Sequence, residues 1–492
     1  MAPQKSGNTM TSEHFDVLII GAGLSGIGAA YRIQTHCPDR TYLILEARER
    51  LGGTWDLFRY PGVRSDSDMY TLAYPFQRWQ GEKEILDGPS ILRYLEQTAV
   101  EHGIDHNIRF NHHVRRASWS TQDARWTLEV APAEAGQSVQ FTCNFLLVCS
   151  GYYRYEAGYL PQLPGMERFA GRIVHPQQWS DDVEYAGKRV VVIGSGATAV
   201  TLVPALAHTA AHVTMLQRSP SYVVRVPSDA RLAKRLKRVL PDRVAYTFTW
   251  WGKVIFGQVF FALCRRYPDH LARRLLEGVR TALGASYDVG RHFTPRYNPW
   301  EQRLCVAPDG DFFRALKTGR ASVVTDQIEG FTPSGLRLES GAELAADVVV
   351  TATGLVMQPI GGIELTVDGT PTEVGAKFTY KGVMIDGIPN FASVLGYTNA
   401  SWTLRSDLLC RYVCRLLNHM QAHKYAVCVP LNSDPTMPRQ SWANLSSGYI
   451  QRAEHLFPKG GARAPWKQHQ YYLRDLWALR FSTVNDGVMR FK

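Results

Sequence analysis

The sequence predicts an α/β protein with two Rossmann-like dinucleotide-binding domains and a helical insertion in the second. Three observations carry this prediction. The apolar run Phe15-Asp16-Val17-Leu18-Ile19-Ile20 leads into the turn Gly21-Ala22-Gly23-Leu24-Ser25-Gly26. Arg189-Val190-Val191-Val192-Ile193 leads in the same way into Gly194-Ser195-Gly196-Ala197-Thr198-Ala199. Residues 226–299 are rich in Arg, Leu and aromatic residues and show little strand alternation, which reads as helices.

In each glycine-rich unit a buried strand ends, the chain turns sharply, and a helix begins. The glycines let the backbone approach a pyrophosphate at the helix N-terminus. The strand that follows discriminates between ligands. Thr41–Glu46 ends on Glu46, a carboxylate that can accept from a ribose 2′-hydroxyl and would repel a 2′-phosphate, which fits FAD or NAD. His212–Ser219 presents no acid but Arg218, whose guanidinium suits a phosphate dianion, and Ala199 replaces the last glycine, so NADP is favoured there. Either residue alone would read as a solvated strand end; the register with both turns gives them meaning.

Leu51-Gly52-Gly53-Thr54-Trp55 follows the first ribose acid. Leu146-Leu147-Val148-Cys149-Ser150-Gly151 and Asp347-Val348-Val349-Val350-Thr351-Ala352-Thr353-Gly354 are near copies, each a strand ending in a turn of small residues. These features resemble the two-dinucleotide flavoproteins, and that resemblance implies FAD on the first unit and NADPH on the second. The expected division is a disordered tail over 1–14, an FAD domain over 15–157 and 355–492, an NADP domain over 158–225 and 300–354, and the helical insert over 226–299. Short strands are expected over 109–114, 124–130 and 141–149, and a helix around Ser406–Met420.

Composition bounds the class. Hydrophobic residues make up 45 % and charged residues 20 % of the 492 positions, an ordinary soluble globular balance. Eight cysteines without a CxxC pair point to a reducing, cytoplasmic setting, and no metal site is expected. The polar stretch Met1–His14 has no apolar core of a signal peptide. From Arg218 to Arg320 there are 20 Lys/Arg and 8 Asp/Glu, which carry the chain's excess of +11. That is either a field attracting the cofactor phosphates or a solvated helical face. No nucleic-acid-binding module is present, so that class is set aside. Ala245–Cys264 is largely apolar between basic clusters. Lys253, Gln258 and two glycines argue against a span and leave a buried helical pair or a peripheral membrane contact.

Between the two units lies Phe169-Ala170-Gly171-Arg172-Ile173-Val174-His175-Pro176-Gln177-Gln178-Trp179-Ser180. This F-x-G-x-x-x-H-x-x-x-W run closely resembles the fingerprint of the class B flavoprotein monooxygenases, and Trp179 resembles the type I Baeyer–Villiger branch. Ser180 departs from the Pro or Asp usual after the Trp. Gly52–Gly62, Arg64–Tyr70, Tyr297–Cys305 and Gly396–Trp402 extend the resemblance over nearly the whole chain, most strongly to a mycobacterial member.

The resemblance implies residue roles. The family's catalytic Arg falls on Arg303 and its partner acid on Asp66. FAD is expected at Gly21, Gly23, Ser25, Gly26, Glu46, Thr54, Trp55, Asp56, Leu57, Asp66 and, from its strand, Val114. NADP is expected at Arg64, Ser65, Asp66, Gly194, Ser195, Gly196, Ala197, Thr198, Ala199, Val200, Arg218 and Ser219. Gln302 stands where some members carry a Lys. His175 is implied to be a structural, domain-coupling residue.

The implied reaction is NADPH-dependent oxidation of a lipophilic ketone by O₂ to an ester or lactone through a C4a-peroxyflavin. Arg303 would stabilise the negative charge. Oxidation of sulfides or thioamides is a second activity implied by the same resemblance. The rivals are a sulfide- or amine-oxygenating monooxygenase of the microsomal type and, from another class, a non-catalytic FAD/NADP redox sensor. A disulfide reductase is disfavoured because 52–89 contains no Cys.

Overall fold

The computed structural model describes residues 12–131 and 139–492. In the first unit β1 (Glu13–Ile20) is fully buried from Val17 onward, and α1 (Leu24–His36) returns the chain to β2 (Tyr42–Leu45), parallel to β1. β3 (Ile108–Arg109), β4 (His113–Ser120), β5 (Arg125–Ala131) and β6 (Val139–Val148) complete the sheet before the linker. Along one edge β6 carries β1 in parallel, and along the other it carries β5 antiparallel over its first half.

Two details differ from the sequence reading. Glu13 and His14, assigned to the tail, belong to β1: Glu13 pairs across the sheet with Phe141, and its carboxylate accepts from Arg109 at 2.6 Å. Residues 1–11 of that tail lie outside the described residues. The strand expected over 109–114 is split, because Asn111 takes a left-handed conformation (φ 57°) that ends β3 before β4 begins.

The second unit contributes β7 (Arg172–Val174), β8 (Arg189–Ile193), α2 (Ala197–Leu206), β9 (His212–Gln217) and β10 (Val223–Val226). The chain then leaves through α3 (Arg231–Lys237), α4 (Asp242–Arg266), α5 (Pro268–Leu283) and α6 (Val289–Phe293). It returns at β11 (Cys305–Pro308), which pairs in parallel with β10 and so closes the base of the helical excursion. β12 (Ala321–Thr325) and β13 (Val348–Thr351) finish a five-stranded, wholly parallel sheet of order β12-β9-β8-β13-β7. Its central strands β8 and β13 read as continuous Val/Ile runs because both their faces are covered.

Ala245–Cys264 is one continuous helix and not a buried pair. Within α4 only Ala245, Tyr246, Thr249, Val254, Gln258 and Cys264 are buried. Gly252 and Gly257 do not break it. Among the described residues no helix is long and apolar enough to cross a membrane.

The remaining chain rejoins the first unit. β14 (Glu364–Val367) lies parallel to β4, and β15 (Phe391–Ser393) pairs with the end of β6. The helix expected around Ser406–Met420 begins earlier and ends later, as α7 (Trp402–His423). Its buried stripe of Leu404, Leu408, Leu409, Val413, Leu416 and Leu417 follows helical spacing. Each such side chain contributes about 1.5–3 kcal/mol on burial, and Leu409→Ala would cost about 2–5 kcal/mol. Arg32 of α1 pairs with Asp407 of α7 at 2.6 Å, both largely buried. A last short helix, α8 (Tyr472–Leu476), packs against α4.

Candidate active site

The two glycine turns are built alike. Gly21 and Gly194 both take positive φ, 99° and 135°. A Cβ on Gly21 would lie 2.9 Å from the Cys149 carbonyl oxygen, and one on Gly194 would lie 2.4 Å from that of Ala352. Each turn is thus pressed against the strand end that closes its own unit, and the likeness of residues 146–151 to 347–354 has a three-dimensional counterpart. Gly26 shows the tight helix–strand approach, since its Cβ would meet the Gly21 carbonyl oxygen at 1.9 Å. The second turn is wide enough there for Ala199, which is fully buried.

Both turns open onto a single cleft of ≈ 820 Å³. It runs from Gly21, Gly23, Ser25, Glu46, Thr54, Trp55 and Val114 to Arg64, Ser65 and Asp66, and on to Gly194–Thr198 and Arg218. Arg303 lines the same cleft. Six of the expected residues do not: Gly26, Asp56, Leu57, Ala199, Val200 and Ser219. Asp56 is spent inside the protein, where its carboxylate takes Arg48, Arg59 (3.3 Å) and Arg50 (3.8 Å). It therefore positions Arg48, which does face the cleft. Ser219 offers its carbonyl oxygen to the Ser195 hydroxyl at 2.9 Å.

The residues present fit an FAD on the first turn. Glu46 is buried at the tip of β2, and its two oxygens accept from the amides of Ala22 (2.7 Å) and Arg48 (3.0 Å). Burial pushes its carboxyl up, and those two amides pull against it. Each oxygen keeps a lone pair for a ribose hydroxyl. Ser150, at the cleft wall, holds a buried hydroxyl with no partner among the described residues. Trp402 of α7 donates from Nε1 to the Ser25 hydroxyl at 2.7 Å, so the last third of the chain fixes a side chain in the first turn. For the second turn, no heavy atom lies within 4 Å of a Cβ built on Gly196, which leaves room for a phosphate. Arg218 is exposed beside it, with no ion-pair partner within 4 Å among the described residues.

Arg303 precedes β11 and is held by that strand at the base of the helical insert. Its Nη2 donates to the Tyr152 hydroxyl at 3.5 Å, and its Nε, buried, has no partner among the described residues. Burial works against its charge; Tyr152, Tyr449, Tyr153 and the Asp66 carboxylate outweigh that and hold its pKa above the ordinary arginine value. Asp66 is exposed at the open cleft, with protein crowded around it at longer range. Desolvation by that surrounding protein is the largest influence and raises its carboxyl, opposed first by Arg303 and then by Arg64. No hydrogen bond or ion pair joins Asp66 to Arg303 among the described residues, so they share a field and not a contact. Arg64 also differs from expectation: it lines the cleft but is engaged by Asp311 and by the Val306 carbonyl oxygen at 3.3 Å.

His175 pins the linker. The Gln177 amide donates to Nδ1 (3.1 Å), so Nε2 carries the proton and donates to the Gly354 carbonyl oxygen (3.1 Å). Burial lowers its pKa, with the Gly354 bond opposing, and the ring stays neutral near pH 7. It links the fingerprint to the strand-end turn of the second unit and lies outside the cleft lining.

Sequence reasoning missed the phenols around Arg303. Tyr152 and Tyr153 stand just past β6, hydroxyl to hydroxyl at 3.2 Å, and Tyr449 comes from 146 positions beyond Arg303. Burial pushes Tyr449 up to about 12, so it stays a protonated donor at neutral pH. The signal for the first two was available: they follow the small-residue turn that closes the first unit.

Residues 69–253 match a family described as flavin-binding monooxygenase-like, and residues 19–85 match an NAD(P)-binding Rossmann-like domain. The chain is 48 % identical over 481 residues to the FAD-containing monooxygenase EthA of Mycobacterium tuberculosis, covering 98 % of each chain. In fold it is similar to a steroid monooxygenase solved in its oxidized form bound to NADP (TM-score 0.76, 23 % identity, 97 % of this chain and 99 % of that one). It is also similar in fold to OTEMO solved with FAD and NADP (TM-score 0.71, 22 % identity, 86 % and 87 %).

Proposed function

The chain belongs to the FAD-containing monooxygenases, and from that premise we propose an NADPH-dependent enzyme carrying out Baeyer–Villiger oxidation of lipophilic ketones. One atom of O₂ enters beside the carbonyl to give an ester or lactone, and the other leaves as water. In this reading FAD takes the first glycine turn, with Ser25, Glu46, Thr54 and Trp55. NADP takes the second, with Arg218 on its 2′-phosphate. When bound, FAD supplies the oxygen-activating redox chemistry and NADPH the hydride.

The observation that carries the proposal is Arg303 in the cleft between both turns, permanently charged, with Nε free to donate. Transfer of oxygen to a ketone builds negative charge on oxygen, and a fixed cation in a water-poor cleft stabilises such charge more strongly in the transition state than in the ground state. A route in which a neutral electrophilic oxygen reaches sulfur gains less from that cation. Asp66 tunes the field of Arg303 without touching it, and Tyr152, itself bonded by Tyr153, orients the guanidinium. A lipophilic ketone partitions into bilayers, so the proposal includes a peripheral membrane contact through the helical insert.

The test is purified flavoprotein with NADPH, O₂ and a panel of linear, cyclic and aryl ketones and thioethers, with products identified. Esters or lactones are expected. Sulfoxides with no ester or lactone from any ketone would replace this reading by the sulfur-oxygenating one.

A further inference from the structure

The outer face of α4 takes no part in the chemistry above. Its inner side is anchored: Tyr246 donates to the Tyr70 carbonyl oxygen (3.3 Å), Lys253 pairs with buried Glu84, and Gln258 accepts from the Tyr472 amide (3.2 Å). On the outer side Val244, Phe248, Ile255, Phe256, Val259 and Leu263 are 39–70 % exposed. At about 100° per residue these six fall within one sector of about 120°. Between Arg243 and Arg265 the sole charge is Lys253, and it is engaged by Glu84. The outer face therefore carries no ion over about 30 Å of helix, at about 1.5 Å per residue.

A second exposed apolar group lies on the neighbouring element, against the anchored side of α4. Tyr472 packs edge-on against Trp250 and Trp251 (5.6 and 6.2 Å), and just beyond it Leu473, Trp477 and Phe481 are 53 %, 67 % and 66 % exposed. Scattered apolar side chains are normal on a surface; a run along five turns of helix with aromatic neighbours is not.

Charge rims the patch. Residues 231–280 hold twelve Lys/Arg against three Asp/Glu. Lys234, Arg235, Lys237 and Arg238 stand before α4, and Arg265, Arg266, Arg273 and Arg274 stand at or after its end. Of these eight, only Lys234 (to Glu82) and Arg274 (to Glu277) have a carboxylate within 4.0 Å among the described residues. Aromatic and aliphatic side chains along one face, with cations at both ends, match the boundary between acyl chains and anionic headgroups. A second copy of this chain fits worse, because two-fold pairing of α4 would set basic ends against basic ends.

We infer that the outer face of α4, with Leu473, Trp477 and Phe481, seats the protein on an anionic membrane surface, α4 lying in the interfacial plane. On the opposite side of α4, Phe261 packs on Trp300 (5.5 Å), three residues before Arg303, so the same helix that offers the outer face also backs the loop that carries the cleft's cation. This deepens the peripheral contact proposed above but needs no turnover, so vesicle binding and ketone oxidation fail independently.

The experiment is co-sedimentation of the full-length holoenzyme with vesicles of phosphatidylcholine alone and of phosphatidylcholine with phosphatidylglycerol. Binding is expected only with the anionic vesicles, weakening as salt rises. Phe248→Glu/Phe256→Glu should lower binding about tenfold or more, a change of about 1.4 kcal/mol, with NADPH and ketone kinetics in solution unchanged. Arg265→Glu/Arg266→Glu should remove the preference for anionic lipid. No wild-type binding, or equal binding by the Phe variant, overturns the inference. A dimer in analytical ultracentrifugation that Phe248→Glu/Phe256→Glu dissociates, without vesicle binding, overturns it in favour of a subunit interface.

Discussion

Nη2 of Arg303 meets the Tyr152 hydroxyl at 3.5 Å, the outer limit of a hydrogen bond, while Nε of the same guanidinium is buried and has no partner among the described residues. A cation held so loosely at the wall of the cleft is poised for a further acceptor. Arg303→Ala should reduce oxygenation by about 10²–10³-fold in kcat and leave bound flavin in place. Oxygen uptake and product analysis check this; retained ketone oxygenation would remove Arg303 from the reaction.

Tyr152→Phe keeps the ring packing on Trp402 (5.1 Å) and loses only the hydroxyl. One weak hydrogen bond is worth about 1 kcal/mol, so kcat should fall roughly fivefold with the ketone KM little changed. A rise in KM alone would mean that Tyr152 binds substrate and does not orient Arg303.

Asp66 predicts a pH signature. Its carboxyl lies above the usual range through desolvation, and Arg303 and Arg64 moderate the rise. If ionised Asp66 supports the Arg303 field, the acid limb of kcat/KM lies above the ordinary Asp value, and activity falls as pH drops through it. Arg64→Ala removes one moderating cation, so the limb should move further up. Asp66→Asn should abolish it; an unchanged limb in that variant assigns it elsewhere.

Arg218 is exposed and unengaged at the end of β9. Arg218→Ala should raise the KM for NADPH by about 10- to 100-fold, the loss of a charge-assisted contact of roughly 1.5–3 kcal/mol, with little effect on NADH. Gln302→Lys adds a cation at the same cleft wall and should partly compensate. Steady-state kinetics with both nucleotides decide it: an equal loss for NADPH and NADH would show that Arg218 does not read the 2′-phosphate.

What the sequence made legible was local. Both glycine turns, Glu46 and Arg218 at their strand tips, and the matching strand ends 146–151 and 347–354 are runs of neighbours whose spacing states their geometry. Arg303 and Asp66 came from motif resemblance, and both line the cleft. What stayed hidden joins distant segments. Trp402 to Ser25 spans 377 positions and Arg64 to Asp311 spans 247, and no periodicity marks such pairs. Asp56 was placed at FAD by resemblance, and the three arginines that take its carboxylate are not marked by any spacing in the sequence.

The Lys253–Glu84 pair ties α4 to the first unit and supplies the last prediction. Glu84 is buried, and its carboxyl is raised by that burial, with Lys253 pulling it back down. Lys253→Met removes the counter-ion, so Glu84 must either ionise uncompensated or take up a proton. Breaking a buried pair from one side costs about 3–5 kcal/mol; with Lys253 partly open to solvent, the lower end applies. The sign follows from the direction of the shift. A carboxyl whose folded pKa is raised favours the folded state at low pH and loses that advantage as pH rises through the folded value. Lys253→Met raises it further. The stability gap between wild type and variant should therefore be small near pH 5 and widen toward pH 8 in urea unfolding, and Glu84→Gln added to Lys253→Met should flatten it. A gap independent of pH would show that Lys253 acts through its aliphatic packing and not through its charge.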